Sequence, residues 1–236
     1  MTKGIDISSH QGTEIDFHKV KAAGYSFVIV RAGYGTKVSQ TFAPQLEGAQ
    51  AAGLDTGAYW YSYATSKEAA NREVATCLEA IKPYKLTYPV YFDQEYEPVI
   101  QAVTKKERTE ICKTFLGALE TAGYYAGIYA SKDWLENWLE PLPEYDKWVA
   151  QYASKCTYQG DFGMWQFTGN GKVDGIPAAV DINECYKDYP EIIKKAGLNH
   201  LTKKDPPVID YKAKYFDLLG DLQELINKYK RGQTDG

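Results

Sequence analysis

The chain has 236 residues, and its 27 Lys and Arg against 31 Asp and Glu give a formal net charge of -4 at pH 7. This length suits a single α/β barrel, and the chain has no basic stripe of the kind that binds nucleic acid. It also has no apolar run near the roughly 18 residues that a membrane-spanning helix needs. We therefore expect neither nucleic acid nor a membrane as a partner.

The cysteines and the N-terminus bear on where the protein is made. The four cysteines are Cys77, Cys112, Cys156 and Cys185. They form no CxxC pair and have no His at zinc-ligand spacing, so they predict small buried apolar groups. The first predicted strand follows Met1 to Lys3 directly, without a charged and then apolar leader. We therefore expect synthesis in a cytoplasm without a signal peptide.

Short apolar runs alternate with amphipathic stretches through the first 130 residues. Taken in chain order, the pattern predicts strands at residues 4–7, 27–32, 57–63, 88–92 and 125–130, and helices at residues 16–23, 42–52, 66–81 and 104–121. Repeated strand and helix units of this kind favour a largely parallel sheet.

The rhythm changes after residue 130. Three further strands are predicted at residues 148–152, 164–167 and 179–182, with loops or very short helices between them. The whole pattern predicts an irregular TIM-like α/β barrel of about five βα units followed by about three β-strands with few helices, plus a C-terminal helical tail. We assign residues 1–197 to the barrel, 198–210 to a linker, and 211–236 to a C-terminal helix with a frayed end. The apolar stripe of that helix is a candidate surface for self-association.

Acidic residues stand at the ends of the predicted strands. They are Asp6, Asp93, Glu95 and Asp181. The loops after the strands of a βα barrel converge on one cavity, so these positions predict the active site. Asp93 and Glu95 are two residues apart, and strand side chains alternate, so both should point to the same side with Cα atoms roughly 6–7 Å apart.

Two carboxyl groups in one pocket favour glycosidic chemistry. Like charges held close raise the pKa of one acid and leave the other ionised. The protonated acid can donate to the leaving oxygen, while the anion stabilises positive charge on the anomeric carbon. The first and last strands become neighbours when a barrel closes, so Asp6 and Asp181 should join the pair and keep Glu95 protonated to a higher pH.

An ordered set of motifs covers about residues 4 to 185. The motifs are GIDISSHQG at residues 4–12, FVIVRAG at 27–33, GAYWYSY at 57–63, FDQE at 92–95, GIY at 127–129, WVAQY at 148–152, MWQF at 164–167 and VDIN at 180–183. Together they resemble glycoside hydrolase family 25, the lysozymes (N-acetylmuramidases of the endolysin and autolysin type) that cut peptidoglycan. Tyr96 departs from the more polar or acidic residue expected after Glu95.

The resemblance implies a retaining hydrolase that cleaves the β-1,4 bond between N-acetylmuramic acid and N-acetylglucosamine in bacterial peptidoglycan, with no cofactor and no metal. Glu95 is similar to the family's general acid and Asp93 to the carboxylate that assists it, while Asp6 and Asp181 look like the flanking pair. Asp93 has two open roles, as a covalent nucleophile or as the group that orients the substrate's 2-acetamido group. We favour the second role. Such an enzyme acts on the cell wall, outside the cell or after release at lysis.

Strand-end position and the resemblance also indicate residues of a sugar-binding groove. These are Tyr34, Tyr59, Tyr61, Tyr63, Tyr129, Trp148, Gln151 and Trp165. Because strand residues alternate, Tyr59, Tyr61 and Tyr63 should share the inner face while Trp60 faces the helices. His10 and Gln11, just past the first strand, are further candidates for substrate contact.

Three alternatives stay open. A family 18 chitinase would carry another Asp two residues before Asp93, where this chain has Tyr91. A catalytically silent module would bind peptidoglycan without cutting it. A metal enzyme would use the four acids as ligands, but no His at a strand end joins them.

Overall fold

The computed structural model describes residues 1–95 and 97–201. The predictions for Tyr96, for residues 202–210 of the linker and for the C-terminal helix over residues 211–236, including self-association through it, lie outside the described residues. The described part contains the barrel and the helices around it.

Eight of the nine described strands close into a barrel. The nine strands are β1 (Thr2–Ile7), β2 (Phe27–Tyr34), β3 (Lys37–Val38), β4 (Asp55–Tyr61), β5 (Val90–Asp93), β6 (Ala126–Ser131), β7 (Asp146–Ala150), β8 (Met164–Gly171) and β9 (Val180–Cys185). β3 pairs only with β2 as a short hairpin, and the other eight form a closed ring in which β1 contacts both β2 and β9. Neighbouring strands of the ring run parallel, except that β9 is antiparallel to β8 and to β1.

Five of the described helices precede β6 in the chain, and a sixth follows β9. They are α1 (Phe17–Ala22), α2 (Phe42–Ala51), α3 (Lys67–Ile81), α4 (Pro98–Gln101), α5 (Lys105–Thr121) and α6 (Tyr189–Ala196), with a 3-10 turn at Ser9–Gln11 and a π-helical turn at Trp134–Trp138. α3 begins after Ser66, whose side chain accepts the backbone N–H of Ala69. α5 begins after Thr104, which forms a capping box with Glu107. The predicted TIM-like barrel with few helices in its last third is confirmed, and the π-helical turn is one of the very short helices expected there. The sequence did not predict β3, α4, α6 or the 3-10 turn.

Two hydrophobic clusters lie on opposite sides of the barrel wall. The outer cluster packs strands against helices and includes Trp60, Phe92 and Phe115. The inner cluster fills the barrel and includes Tyr91 and Trp148. Trp60 therefore faces the helices, as expected from strand alternation, and its indole N–H donates to the carbonyl of Gly35 at 2.9 Å.

The reversed direction of β9 determines where Asp181 lies. Asp181 is the second residue of β9, while Asp6 is the last residue but one of β1. Because β9 is antiparallel, its first residues lie at the edge where the parallel strands end. The strand register pairs Asp6 directly with Asp181.

The opposite end of the barrel is closed by α6 and by the residues that follow it. Tyr189 and Ile193 of α6 are fully buried in the inner cluster. Asn199 donates from Nδ2 to the carbonyls of Leu86 and Tyr88 and accepts the backbone N–H of Tyr125. Residues 198–201, which the sequence assigned to a linker, therefore pack on the barrel.

Candidate active site

Four carboxyl groups meet at the end of the barrel where the parallel strands finish. They are Asp6 in β1, Asp93 at the end of β5, Glu95 two residues further on, and Asp181 at the start of β9. Asp6 lies within electrostatic range of Asp181 and Glu95. Asp93 lies within range of Glu95 and Asp6. The structure thus brings the four acids indicated by the sequence into one cluster.

Two side-chain amides hold Asp6. Asn183 Nδ2 and Gln166 Nε2 donate to the same oxygen, Asp6 Oδ2, at 2.8 and 2.9 Å. Asn183 is oriented by Trp148, whose indole N–H can only donate and reaches Asn183 Oδ1 at 2.8 Å. Because Asp6 Oδ2 accepts from both amides, a proton bound to Asp6 would sit on the other oxygen.

Tyrosine hydroxyls connect the amides to the other acids. Tyr129 donates to Gln166 Oε1 at 2.8 Å. Its hydroxyl also lies beside Glu95, and donation of the same proton to the Glu95 carboxylate instead would lower the pKa of that carboxyl. The hydroxyl of Tyr152 contacts Gln166 Oε1 at 3.3 Å and lowers the pKa of Asp181 by hydrogen bonding. Gln166 is therefore the junction between the hydroxyl groups and Asp6.

Burial raises the pKa of all four acids, because each carboxylate loses hydration. The pKa values of Asp6 and Asp93 lie well above the ordinary value. Repulsion from Asp181 further raises the pKa of Asp6 and Glu95. The sequence led us to expect one raised and one ordinary pKa in the pair Asp93 and Glu95. The structure raises both, because both carboxyl groups are withdrawn from water.

Asp93 has few compensating contacts. Asp93 is 2% exposed. Among the described residues its Oδ1 has no hydrogen-bond partner. The positive charge of Arg31 lowers its pKa, but by less than burial and the neighbouring acids raise it. The guanidinium of Arg31 donates to Ser9 Oγ at 2.7 Å.

A cavity of about 370 Å³ opens beside Glu95. Its other lining residues are Tyr129, Ser131, Trp134, Ala150, Gln151 and Tyr152. Trp134 comes from the π-helical turn, and the guanidinium carbon of Arg108 lies 4.9 Å from the centroid of its ring. Aromatic walls with a few polar groups suit a sugar ring, which has apolar faces and polar edges.

The tyrosines of the predicted groove come from β2, β4 and the residues just after β4, whereas the cavity residues of β6 and β7 lie on the opposite side of β5 in the strand order. Tyr34 and Tyr63 are 37% and 42% exposed, with ring centroids 6.5 Å apart. Tyr61 lies beside Tyr63 and donates from its hydroxyl to Glu97 Oε1 at 2.8 Å. Tyr59 lies deeper, where burial and then the charges of the acids raise the pKa of its hydroxyl. These residues and the cavity-lining Tyr129 and Gln151 are placed to form a groove across the acid cluster.

Two of the predicted groove residues do not face the groove, so that part of the prediction needs correction. Trp148 is 1% exposed and lies inside the barrel, with its ring centroid 4.4 Å from that of Tyr129. Trp165 is 5% exposed, and its indole N–H donates to the carbonyl of Gln151. Strand alternation gives one face of β8 to the site, and Gln166 occupies that face. Trp148 supports the site from inside the barrel, and Trp165 supports it from outside.

The 3-10 turn after β1 carries the two remaining candidates. His10 is exposed, and its charge lowers the pKa of Asp181. Gln11 is buried, where Nε2 donates to the carbonyl of Ala179 and Oε1 accepts the backbone N–H of Ser8. Gln11 thus fastens the turn, whereas His10 faces the edge of the acid cluster.

Several residues of the site were missed by sequence reasoning. They are Arg31, Glu97, Trp134, Tyr152, Gln166 and Asn183. A signal existed for Asn183, because it stands two residues after Asp181 on the same strand and therefore on the same face. Gln166 pairs with Asn183 in the register of β8 and β9, which only the structure reveals.

The remaining sequence predictions concern metals, thiols and membranes. Within residues 1–95 and 97–201, no group of three or more His, Cys, Asp or Glu side chains is arranged to hold a metal ion. The four cysteines are free thiols, three of them buried. None of the described helices combines the length and apolar character needed to cross a bilayer.

This geometry defines a class of protein. A carboxyl group with a raised pKa beside a cavity, with a second carboxyl group two residues away, can protonate a glycosidic oxygen and stabilise charge at the anomeric carbon, which is the chemistry of a glycoside hydrolase. Comparison with known proteins identifies the family. The profile of Glycosyl hydrolases family 25 matches residues 5–176, so the chain belongs to that family.

Individual relatives agree with the family profile. Lysozyme M1 of Streptomyces globisporus is 28% identical over 199 residues, which are 77% of this chain and 67% of the lysozyme. The modular autolysin LytC of Streptococcus pneumoniae, solved with a synthetic peptidoglycan ligand, is 28% identical with a TM-score of 0.71; the match covers 77% of this chain and 46% of the autolysin. The chain therefore spans less than half of that autolysin.

A family 25 glycosyl hydrolase of Bacillus anthracis shares the fold. Its structure has a TM-score of 0.71 and 21% identity, and the match covers 82% of this chain and 93% of the other. The barrel is therefore similar in extent to nearly the whole of that enzyme.

Proposed function

We propose that this chain is a peptidoglycan hydrolase of the muramidase type, which cleaves the β-1,4 bond between N-acetylmuramic acid and N-acetylglucosamine. The observation that carries the proposal is the position of Glu95, a carboxyl group with a raised pKa at the edge of an aromatic-walled cavity. Lysozyme M1 and the LytC complex with a synthetic peptidoglycan ligand support this substrate class. The site of action is then the bacterial cell wall.

Glu95 acts as the general acid. Burial and repulsion from Asp181 raise its pKa, so it retains a proton in the pH range in which an exposed glutamate has lost it. That proton passes to the glycosidic oxygen as the bond to the anomeric carbon breaks. The resulting carboxylate then takes a proton from the water that completes hydrolysis.

Asp93 orients the 2-acetamido group of the sugar whose bond is cut. Its buried Oδ1 has no partner among the described residues, and a buried acceptor without a donor costs about 1–3 kcal/mol. An acetamido N–H supplies that donor and directs the acetamido oxygen towards the anomeric carbon. The oxygen forms a bond to that carbon as the leaving group departs, and water then opens the cyclic intermediate with net retention.

The groove holds the sugar chain on both sides of Glu95. Tyr34, Tyr61 and Tyr63 offer aromatic surface at the rim, while the cavity with Trp134 and Gln151 receives the chain on the other side. Covalent attack by Asp93 is the competing mechanism, and a silent peptidoglycan-binding module is the competing function.

The product of digestion tests the substrate and the bond. Purified peptidoglycan is digested with the protein, and the reducing ends are identified by mass spectrometry after borohydride reduction. We expect reduced N-acetylmuramic acid, whereas reduced N-acetylglucosamine would show that the other bond is cut. Binding to cell walls without any new reducing end would favour the silent module.

A modified substrate separates the two roles of Asp93. Peptidoglycan fragments whose muramic acid lacks the N-acetyl group cannot provide the acetamido oxygen. We expect loss of cleavage of such fragments, although they bind in competition with the normal substrate. Normal turnover together with a glycosyl adduct on Asp93 would instead establish covalent attack.

A further inference from the structure

A single hydroxyl proton lies between two acceptors in the acid cluster. Tyr129 has one proton to donate. Its hydroxyl lies 2.8 Å from Gln166 Oε1, and Tyr129 and Glu95 line the same cavity. If that proton goes to Gln166, the hydroxyl oxygen is left as an acceptor towards Glu95. A hydrogen bond between Tyr129 and Glu95 then requires that Glu95 supply the proton.

The direction of the amide of Gln166 follows from its neighbours. The indole of Trp148 can only donate, so Asn183 presents its oxygen to Trp148 and its NH₂ group to Asp6. Gln166 Nε2 donates to the same Asp6 oxygen at 2.9 Å. With Nε2 directed at Asp6, the remaining atom Oε1 must face Tyr129 as an acceptor.

We propose that Gln166 is a positioning residue for catalysis, which draws the hydroxyl proton of Tyr129 away from Glu95 and thereby keeps the general acid in its protonated form. The inference rests on the proposed role of Glu95. Gln166 is buried and acts through Tyr129, while its Nε2 stabilises Asp6 as an anion. The amide of Gln166 thus favours the ionised form of Asp6 and the protonated form of Glu95.

Other groups also act on Glu95 and set the background of this effect. The titratable groups that face it are Asp6 from β1, Tyr61 from β4, Asp93 from β5, Glu97 from the segment before α4, Tyr129 from β6, Tyr152 after β7 and Asp181 from β9. Arg31 of β2 acts on the neighbouring Asp93. All these groups remain when Gln166 is replaced, but Asp6 loses its hydrogen bond from Nε2. A variant without the Tyr129 hydroxyl is therefore needed to separate the effect through that hydroxyl from a change at Asp6.

The test is the pH dependence of kcat/KM for the wild type and for Gln166→Leu on soluble peptidoglycan fragments. Without the amide, Tyr129 is free to donate to the Glu95 carboxylate, which favours ionisation. We expect the pH at which activity falls on the basic side to move down by about one pH unit, the size of shift that a hydrogen bond to a charged group produces. In the Tyr129→Phe background, most of the shift from Gln166→Leu should disappear.

Matched variants keep the result interpretable. Gln50→Leu removes an amide outside the site, one that donates to Thr56 Oγ1 and to the carbonyl of Lys85, and it should leave the basic side of the profile in place. Gln166→Met, with an unbranched chain of similar length, takes the place of Gln166→Leu if thermal unfolding shows that the leucine variant is not folded.

Two outcomes overturn the inference. In the first, a folded Gln166 variant has a lower kcat/KM at every pH, while the pH at which activity falls on the basic side is unchanged. Such a variant has lost only a structural contact. A shift of equal size in the Tyr129→Phe background would show that the amide does not act through the hydroxyl. NMR titration of the Glu95 carboxyl in both proteins distinguishes this failure from that of the proposed function, because it reads the pKa without requiring activity.

Discussion

The two ends of the barrel differ in how many hydrogen-bond donors surround their buried carboxyl groups. At the end closed by α6, Asp146 is surrounded by donors: Oδ2 accepts from Tyr125 and Tyr189 hydroxyls at 3.0 and 2.9 Å and from Lys187 Nζ at 2.9 Å. Its Oδ1 accepts the backbone N–H of Lys147 at 2.9 Å. Both oxygens of this acid thus accept hydrogen bonds, which join β7 to α6 and to the residues around it.

At the active-site end, four acids share few donors. Asp6 accepts from two amides, whereas Asp93 Oδ1 has no partner among the described residues. Burial raises the pKa of both carboxyl groups. An acid that stabilises the fold is thus surrounded by donors, while an acid used for chemistry has few of them and its pKa is raised.

Removing the general acid should produce the largest effect on the active-site end. Glu95→Gln keeps the shape of the side chain but has no proton to transfer, so we expect activity to fall by about 10²–10⁴-fold. Turbidity of cell walls and release of reducing ends measure the loss, and circular dichroism checks that the variant is folded. Unchanged activity would refute the assignment of Glu95.

Removing Asp146, whose oxygens all accept hydrogen bonds, should destabilise the end of the barrel that α6 closes. Asp146→Ala leaves two hydroxyls and one ammonium without their acceptor, so we expect a loss of about 2–4 kcal/mol in the free energy of unfolding. Chemical denaturation measures it, with Asp174→Ala as an exposed control that should change stability by less than about 0.5 kcal/mol. Equal stability of the two variants would show that the donors around Asp146 contribute nothing.

Replacing Asp93, an acid with too few hydrogen-bond donors, should stabilise the fold. The pKa of Asp93 is raised in the folded state, so the folded protein loses stability as the pH rises through that pKa, relative to low pH where both states are protonated. Asp93→Asn removes this loss. We expect the Tm of Asp93→Asn to exceed that of the wild type at pH 7, by about 2–4 °C for each kcal/mol recovered. This difference in Tm should shrink as the pH falls to about 4, near the pKa of an aspartate in the unfolded chain.

The stability gain from Asp93→Asn should accompany a loss of activity, because a neutral amide accepts the acetamido N–H more weakly than a carboxylate does. A scan of Tm against pH for both proteins, together with turbidity assays, checks the two effects. A variant that is less stable at pH 7 would contradict the view that the ionised carboxyl opposes folding.

Chelation should produce the smallest effect. The chemistry proposed for the acids is proton transfer and orientation of the substrate, so we expect the activity of protein treated with EDTA and then dialysed to equal that of untreated protein. A loss of activity that Mg²⁺ or Zn²⁺ restores would instead support a metal enzyme with the four acids as ligands.

The sequence predicted the barrel and the acid cluster because both depend on local patterns. Alternating apolar and amphipathic stretches indicate βα units, and acids at strand ends converge once the barrel closes. Asp6 and Asp181 could be paired from topology alone, since the first and last strands of a closed barrel are neighbours. The motifs of the family then indicated the order of the strands.

The amide network could not be predicted, because it depends on which face each strand presents. Trp165 and Gln166 are adjacent in sequence, and an aromatic residue was the natural choice for a sugar groove, but the register of β8 turns Gln166 inwards. Trp148 does point inwards, yet the packing of rings around it removes it from the groove. How deep a side chain lies within the barrel depends on tertiary packing, which the hydrophobic periodicity of the sequence does not predict.

The most direct measurement of the central claim is the titration of Glu95 by NMR of protein labelled with ¹³C at the glutamate side-chain carboxyl, with the signal assigned by its absence in Glu95→Gln. Burial and neighbouring acids predict a pKa above the ordinary value of 4.5. Glu107 serves as the internal reference, because its hydrogen bonds to Thr104 lower the pKa of that carboxyl. A Glu95 signal that titrates at or below 4.5 would contradict the account, since the general acid would then have lost its proton before neutral pH.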